Sequence, residues 1–325
     1  MSKFAGRVAL LLLALLTAPA FAQGAGRDIA ARTELHPIPT LTLPDSQFLA
    51  GAGGTPVTVA GQFRIAQGEG RLPVVVLVHG SGGPGSTLEQ WSRDLNAIGV
   101  STFAIDGFSA RGLVTTSENQ SVLGTLNMII DVYRALEILA QHQRVDPARI
   151  AVMGFSRGGR IALYAGMKRF HGLWNRSELR PAAYLAFYPS CNAAYAGDTD
   201  VEDAPIRIFH GAADDYVPPD ACRAYVKRLK DAGRDAAIIE YDGAGHAFDS
   251  PLGRSSFAPR VQVFRDCAMH EENGVILNSG TGKPFIYEDA CVKRGAHVGG
   301  NPRAAAAARA DVKRFAADVF GLKPD

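Results

Sequence analysis

Cysteine is scarce, with 4 in 325 residues, and no two of them form a C-x-x-C pair. That absence speaks against a zinc ribbon or a thioredoxin-like redox site. H-E-x-x-H and related spacings are missing too, so a metallohydrolase built from His79, His210, Asp214 and His246 has only residue types in its favour. Net charge is a third absence. Lys3 and Arg7 are the only charged residues among the first 22, and beyond them basic and acidic residues are equal in number. Such a balance argues against nucleic acid or a membrane surface as partner. The apolar run at 8–18 falls short of the roughly 20 residues of a membrane span. No Ser/Pro/Gly-rich linker divides the chain, so one large domain is expected over 23–325.

What is present at the N-terminus reads as a targeting segment. Lys3 and Arg7 precede "VALLLLALLTA", and Ala20, Phe21 and Ala22 form a small-x-small cleavage site. This is the layout of a secretory signal peptide over 1–22, and it predicts an exported chain, periplasmic or secreted, with no membrane association after cleavage. An exported chain with an even number of cysteines is expected to form disulfides. Pairing in sequence order, Cys191 with Cys222 and Cys267 with Cys291, is the expectation, because Cys191 follows one strand and Cys222 opens the helix after the next.

Beyond a Pro-rich lead at 23–44, short apolar or β-branched runs alternate with helical patterns. "LPVVVLVHG", "RIAVMGFS", "AAYLAFYPS", "PIRIFHGAAD" and "AAIIEYDGAGH" are continuous enough to be strands buried on both faces of a parallel sheet. Between them, Leu126, Ile129, Ile130, Tyr133 and Leu136 recur near helical period, and 221–230 and 304–320 also read as helices. Strand and helix in alternation predict a doubly wound, mostly parallel α/β sheet flanked by helices. The pattern lapses at about 249–301, which holds two cysteines and many Gly residues without a strong period. We expect an irregular excursion there that shapes substrate access.

The chemistry gathers around "VMGFSRGGR". Ser156 stands where a strand hands over to a helix, with Gly154 and Gly158 two residues on either side, the context of a nucleophile elbow. A serine hydroxyl needs a base, and the base an orienting acid. "HGAADDYVP" supplies Asp214 or Asp215 after one strand, and "GAGHAF" supplies His246 after the next; Asp242 and Asp249 are weaker candidates for the acid. The tetrahedral oxyanion needs two donors. The backbone N–H of Arg157, directly after the nucleophile, and that of Ser81 in the glycine-rich turn "HGSGGPGS" are the candidates. His79 and Arg111 are candidates for a substrate rim.

Taken together, "HGSGG", "GFSRGG", "HGAADDYVP" and "GAGHAF" resemble the α/β-hydrolase superfamily and, within it, the dienelactone hydrolase family. The resemblance implies an α/β-hydrolase fold, Ser156 as nucleophile, Asp214 as acid and His246 as base. The family's founding members carry cysteine at the nucleophile and an acidic residue in the oxyanion loop, whereas this chain has Ser156 and "HGSGG". A serine hydrolase cleaving a small-molecule carboxylic ester or lactone through an acyl-enzyme, with neither cofactor nor metal, is therefore expected. The other readings are a non-catalytic binding protein that keeps the fold and a hydrolase of peptide amides.

Overall fold

A computed structural model describes residues 26–322. The expected signal peptide lies outside the described residues. The described residues open with β1 (Arg32–Thr42), α1 (Asp45–Ala50), β2 (Thr55–Ile65) and β3 (Leu72–Val78), followed by α2 (Ser86–Asn96) and β4 (Ser101–Asp106). Next come α3 (Met128–Gln141), β5 (Val145–Phe155), α4 (Arg157–Tyr164), α5 (Lys168–Trp174), β6 (Ala183–Phe187) and the two-residue β7 (Ala193–Ala194). The order continues through β8 (Ile206–Gly211), α6 (Asp220–Asp231) and β9 (Ala236–Tyr241). Five short strands then precede α7 (Pro302–Phe320): β10 (Ser256–Val263), β11 (Met269–Glu272), β12 (Val275–Asn278), β13 (Lys283–Pro284) and β14 (Lys293–Val298).

Eight strands form the central sheet in the order β1-β2-β4-β3-β5-β6-β8-β9. β1, β2 and β4 pair antiparallel, and every pairing from β4 to β9 is parallel. The continuous apolar runs are explained by burial on both faces. Along β3, Val74, Val76 and Val78 enter the core on one face, while Val75 and Leu77 enter the core on the other. The first core packs α3 against the sheet through Ile129, Val132, Tyr133 and Leu136; the second packs α2 and α7 through Trp91, Leu95, Ala308 and Val312. α7 is delimited by its own sequence: the Asn301 side chain accepts from the Ala304 N–H, Pro302 takes the first turn, and Gly321 closes the helix at φ 60°.

Two parts differ from the sequence expectation. The Pro-rich lead contains β1, an edge strand whose Pro37 and Pro39 face solvent while Ile38 and Thr40 are buried. An edge position tolerates prolines because no outer strand requires their missing N–H groups. The excursion is also more regular than its composition suggests. β10 and β14 form an antiparallel ribbon, and β13-β12-β11-β7 a second small sheet. β7 comes from the loop after β6, so the excursion is docked onto that loop by strand pairing. Asn192 Nδ2 donates to Phe264 O and Cys267 O, both at 2.9 Å, and Arg169 grips Glu271 with two bonds of 2.7 Å. Disulfides join Cys191 to Cys222 and Cys267 to Cys291. Among the described residues no helix is long and apolar enough to cross a membrane.

Candidate active site

The parallel strands end on one edge of the sheet, and the loops that leave β3, β5, β8 and β9 there carry the candidate residues. Ser156 joins β5 to α4 with φ 54° and ψ −111°, a strained backbone for a residue with a side chain. The turn is held by Ser156 N–H donating to Phe187 O at 2.9 Å. Its tightness dictates the flanking glycines. A Cβ on Gly154 would stand 1.9 Å from Gly158 O, and one on Gly158 would stand 2.1 Å from Val78 O.

His246 reaches this elbow from the loop after β9. Its Nε2 lies 2.9 Å from Ser156 Oγ and its Nδ1 lies 2.8 Å from Asp214 Oδ2. The other oxygen of Asp214 accepts from the N–H groups of Tyr216 at 2.9 Å and Val217 at 2.8 Å, so that carboxylate has a fixed orientation. Both Asp214 and His246 are buried. With Nδ1–H donated to Asp214, Nε2 presents a lone pair to the serine hydroxyl. This is the arrangement in which the base can take its proton.

The competing acids are engaged elsewhere. Asp215 accepts from His297, at 2.9 Å from the backbone N–H and 2.8 Å from Nδ1. Asp242 is exposed. Asp249 is buried and accepts from Trp91 Nε1 and the Tyr188 hydroxyl, each at 2.6 Å. Burial pushes its pKa up, only partly offset by those two donors. Tyr188 and Tyr216 in turn flank the His246 ring, with centroids 4.8 and 4.5 Å away. Sequence reasoning missed both tyrosines. The signal was their position, directly after β6 and directly after the Asp pair.

On the oxyanion side, the turn after β3 abuts the elbow, where a Cβ on Gly80 would lie 3.4 Å from Ser156 Cβ. Among the described residues neither the Ser81 N–H nor the Arg157 N–H donates to a protein oxygen, which leaves both free for an oxyanion.

The expected rim is not formed by His79 and Arg111. The guanidinium of Arg111 is buried and turned inward, bidentate with the buried Asp131 at 2.7 and 2.8 Å, and it also donates to Gly107 O and Leu41 O. His79 is fully buried; Nδ1 donates to Gly80 O at 2.8 Å and Nε2 accepts from Gly107 N–H at 3.2 Å. Burial lowers its pKa, and both nitrogens are taken, so the ring braces the turn after β3. The Arg157 side chain is likewise directed inward, to the carbonyls of Gln120, Leu123 and Gly124.

His79, His210, Asp214 and His246 do not converge as a ligand set. Among the described residues the cluster of metal-type side chains is Glu34, His36 and His142, on the β1 side of the sheet. Its carboxylate accepts from His36 Nε2 at 2.9 Å and His142 Nε2 at 3.1 Å. His142 Nδ1 accepts from the Arg144 N–H, so Nε2 carries the proton and shows no lone pair toward Glu34. That group is a hydrogen-bonded brace of the sheet edge.

Residues 62–262 match the model of the "Dienelactone hydrolase family". A Bradyrhizobium protein named "Probable 2-oxo-3-(5-oxofuran-2-ylidene)propanoate lactonase" is 26% identical over 206 residues, covering 58% of this chain and 78% of its own length. Among solved structures, a dienelactone hydrolase-like promiscuous phosphotriesterase from metagenomic libraries superposes with a TM-score of 0.57 at 16% identity, covering 89% of this chain and 99% of that one. Esterase 2 of Thermogutta terrifontis, phosphoramylated by tabun, superposes with a TM-score of 0.54 at 17% identity, covering 83% and 92%. At these identities the two structures speak to the fold, which is that of the α/β-hydrolases.

Proposed function

The chain belongs to the dienelactone hydrolase family and is a serine hydrolase of carboxylic esters, and from that premise we propose that Ser156, His246 and Asp214 are its catalytic triad, acting on a small-molecule ester or lactone. The single observation behind this reading is the unbroken chain from Ser156 Oγ through His246 to Asp214, at 2.9 and 2.8 Å, on a strained elbow. His246 Nε2 takes the hydroxyl proton as Ser156 Oγ bonds to the ester carbonyl carbon. The resulting oxyanion is received by the N–H groups of Ser81 and Arg157. As the carbon–oxygen bond to the alcohol breaks, His246 returns the proton to the leaving oxygen. Water then bonds to the acyl carbon as His246 Nε2 takes its proton; as the bond to Ser156 Oγ breaks, His246 returns that proton to the serine oxygen and the acid departs. No step calls for a cofactor or metal.

A cavity of about 400 Å³ borders Tyr216, the residue that packs on His246, and we assign it to the substrate. Ser190 and Asn192 form one side and Phe264, Arg265 and Cys267 of the excursion another, so the excursion is a wall of that cavity. The lactonase name of the Bradyrhizobium relative supports including lactones in the substrate class. An exported location, periplasmic or secreted, is supported by the two disulfides and by the charged and apolar leader.

The test is turnover of a panel of p-nitrophenyl esters, lactones and peptide amides by wild type, Ser156→Ala and His246→Ala. Each variant is expected to stay folded and lose roughly 10⁴- to 10⁶-fold in kcat on esters, because the triad works as a unit. Ester turnover by Ser156→Ala above about a tenth of wild type refutes the assignment.

A further inference from the structure

The two proposed oxyanion donors come from different loops, and one buried side chain joins them. Gln120 opens a 3₁₀ turn (Gln120–Val122) in the connection from β4 to α3 and is 6% exposed. Its Oε1 accepts from Arg157 Nη2 at 2.7 Å and Nε at 3.2 Å. A guanidinium can only donate, so it fixes which end of the amide is oxygen. Nε2 must then face the other way, where Ser81 Oγ lies at 2.9 Å. Ser81 Oγ also stands 3.1 Å from Oε1, so the hydroxyl is seated against the whole amide.

The backbone of Gln120 is anchored in turn by the excursion. Gln120 N–H donates to Gln262 Oε1 at 2.8 Å, and Gln262 N–H donates to Ser117 O at 2.8 Å. Gln262 is itself buried in β10. β3 and β5 are paired only as far as Val78 and Gly154, so Ser81 and Arg157 both lie past the last paired residues of their strands. Beyond that point the Gln120 amide joins the two side chains.

We propose that Gln120 is a positioning residue for the oxyanion hole, setting the separation of the Ser81 and Arg157 N–H groups, and that Gln262 makes the excursion part of this catalytic support. The inference rests on the Ser156 triad reading, with Ser81 and Arg157 as donors. Gln120 touches no reacting atom. Its effect falls on the transition state, because a hole displaced by a fraction of an ångström still admits the planar ester but no longer fits the oxyanion.

The experiment compares wild type with Gln120→Leu, Gln120→Glu and Gln262→Ala. The readouts are kcat and KM on the best p-nitrophenyl ester, Ki for a trifluoromethyl ketone analogue of its acyl group, the thermal midpoint, and fluorophosphonate labelling of Ser156. The ketone adds Ser156 Oγ and places an alkoxide in the hole. Gln120→Glu keeps the acceptor for Arg157 and adds an ion pair to it, but it replaces the Nε2 donor with a second acceptor, so the Ser81 hydroxyl must turn to donate and its seat shifts. This variant is expected to be at least as heat-stable as wild type while losing about 10²-fold in kcat, with KM within about threefold. Ki for the ketone should rise by the factor by which kcat/KM falls. Gln120→Leu should lose a similar factor, and Gln262→Ala about tenfold. If kcat and Ki stay within about threefold in both Gln120 variants, or kcat falls while Ki does not, the proposal is overturned. Loss of heat stability alone, with turnover per folded molecule unchanged, makes Gln120 structural only and also overturns it. A wild type that turns over ester without labelling at Ser156 overturns the triad reading and this inference with it, whereas labelled wild type with unaffected Gln120 variants overturns this inference alone.

Discussion

Replacing Asp214 with Asn isolates the role of the acid with little change in shape. Asp214 Oδ1 is held by two backbone donors, Tyr216 N–H at 2.9 Å and Val217 N–H at 2.8 Å. An asparagine must therefore put its carbonyl oxygen there, and its NH₂ group then faces His246 Nδ1, which Asp214 Oδ2 now meets at 2.8 Å. Facing a donor, Nδ1 must accept, and the ring proton moves to Nε2, the nitrogen 2.9 Å from Ser156 Oγ. A histidine that donates to the serine cannot deprotonate it. The loss expected from such a tautomer reversal is about 10⁴-fold in kcat, or roughly 5.5 kcal/mol of transition-state stabilisation. Saturating p-nitrophenyl ester turnover measures it, with a thermal melt to check that the two backbone bonds still hold the loop. Asp215→Asn is the control, since the Asp215 carboxylate meets the exposed His297 and not His246. If Asp214→Asn keeps more than about a hundredth of wild-type kcat, or Asp215→Asn costs more, the tautomer argument fails.

Three further outcomes follow from the same contacts. Arg111→Ala leaves the buried Asp131 without its cation, and should cost about 3–5 kcal/mol in urea unfolding without altering preference across the ester panel; a changed preference with unchanged stability would restore Arg111 to the rim. Removing either disulfide by paired Cys→Ser exchange, over separations of 31 and 24 residues, should lower stability by about 3–4 kcal/mol on the chain-entropy model, and a loss below about 1 kcal/mol would count against it. Asp249 has a folded pKa raised by burial, so its contribution is fully present below the ordinary aspartate value and is lost as pH rises through the folded value. The stability of Asp249→Asn relative to wild type should therefore improve from about pH 4 to about pH 8, and a difference independent of pH would show that Asp249 titrates normally.

The convergence of Ser156, Asp214 and His246 was legible because the three occupy equivalent places, each in the loop after a largely apolar strand, and parallel strands bring such loops to one edge. The glycines around Ser156 could be read for the same reason: steric need at the elbow leaves no other residue. Side-chain direction was not legible. Arg111 in "DGFSARG" looks like a surface cation until α3 places Asp131 beneath it, and His79 looks like a ligand until the Gly107 N–H occupies its second nitrogen. β1 was hidden by two prolines that an edge strand tolerates, and the excursion by pairings too remote to leave a local period, such as Met269 with Ala193. Gln120 carried no signal at all. A buried amide is recognisable only through the partners that surround it.

The central claim is that Ser156 is the activated nucleophile. A fluorophosphonate measures this directly, because it phosphonylates a serine only where a base removes the hydroxyl proton and a hole receives the developing charge. After reaction at neutral pH, intact mass and peptide mapping should find one adduct per chain on the peptide containing Ser156, with ester hydrolysis lost in step with labelling. Ser156→Ala and His246→Ala should remain unlabelled over the same period. An adduct on another residue, or hydrolysis that persists in a fully labelled protein, would contradict the account.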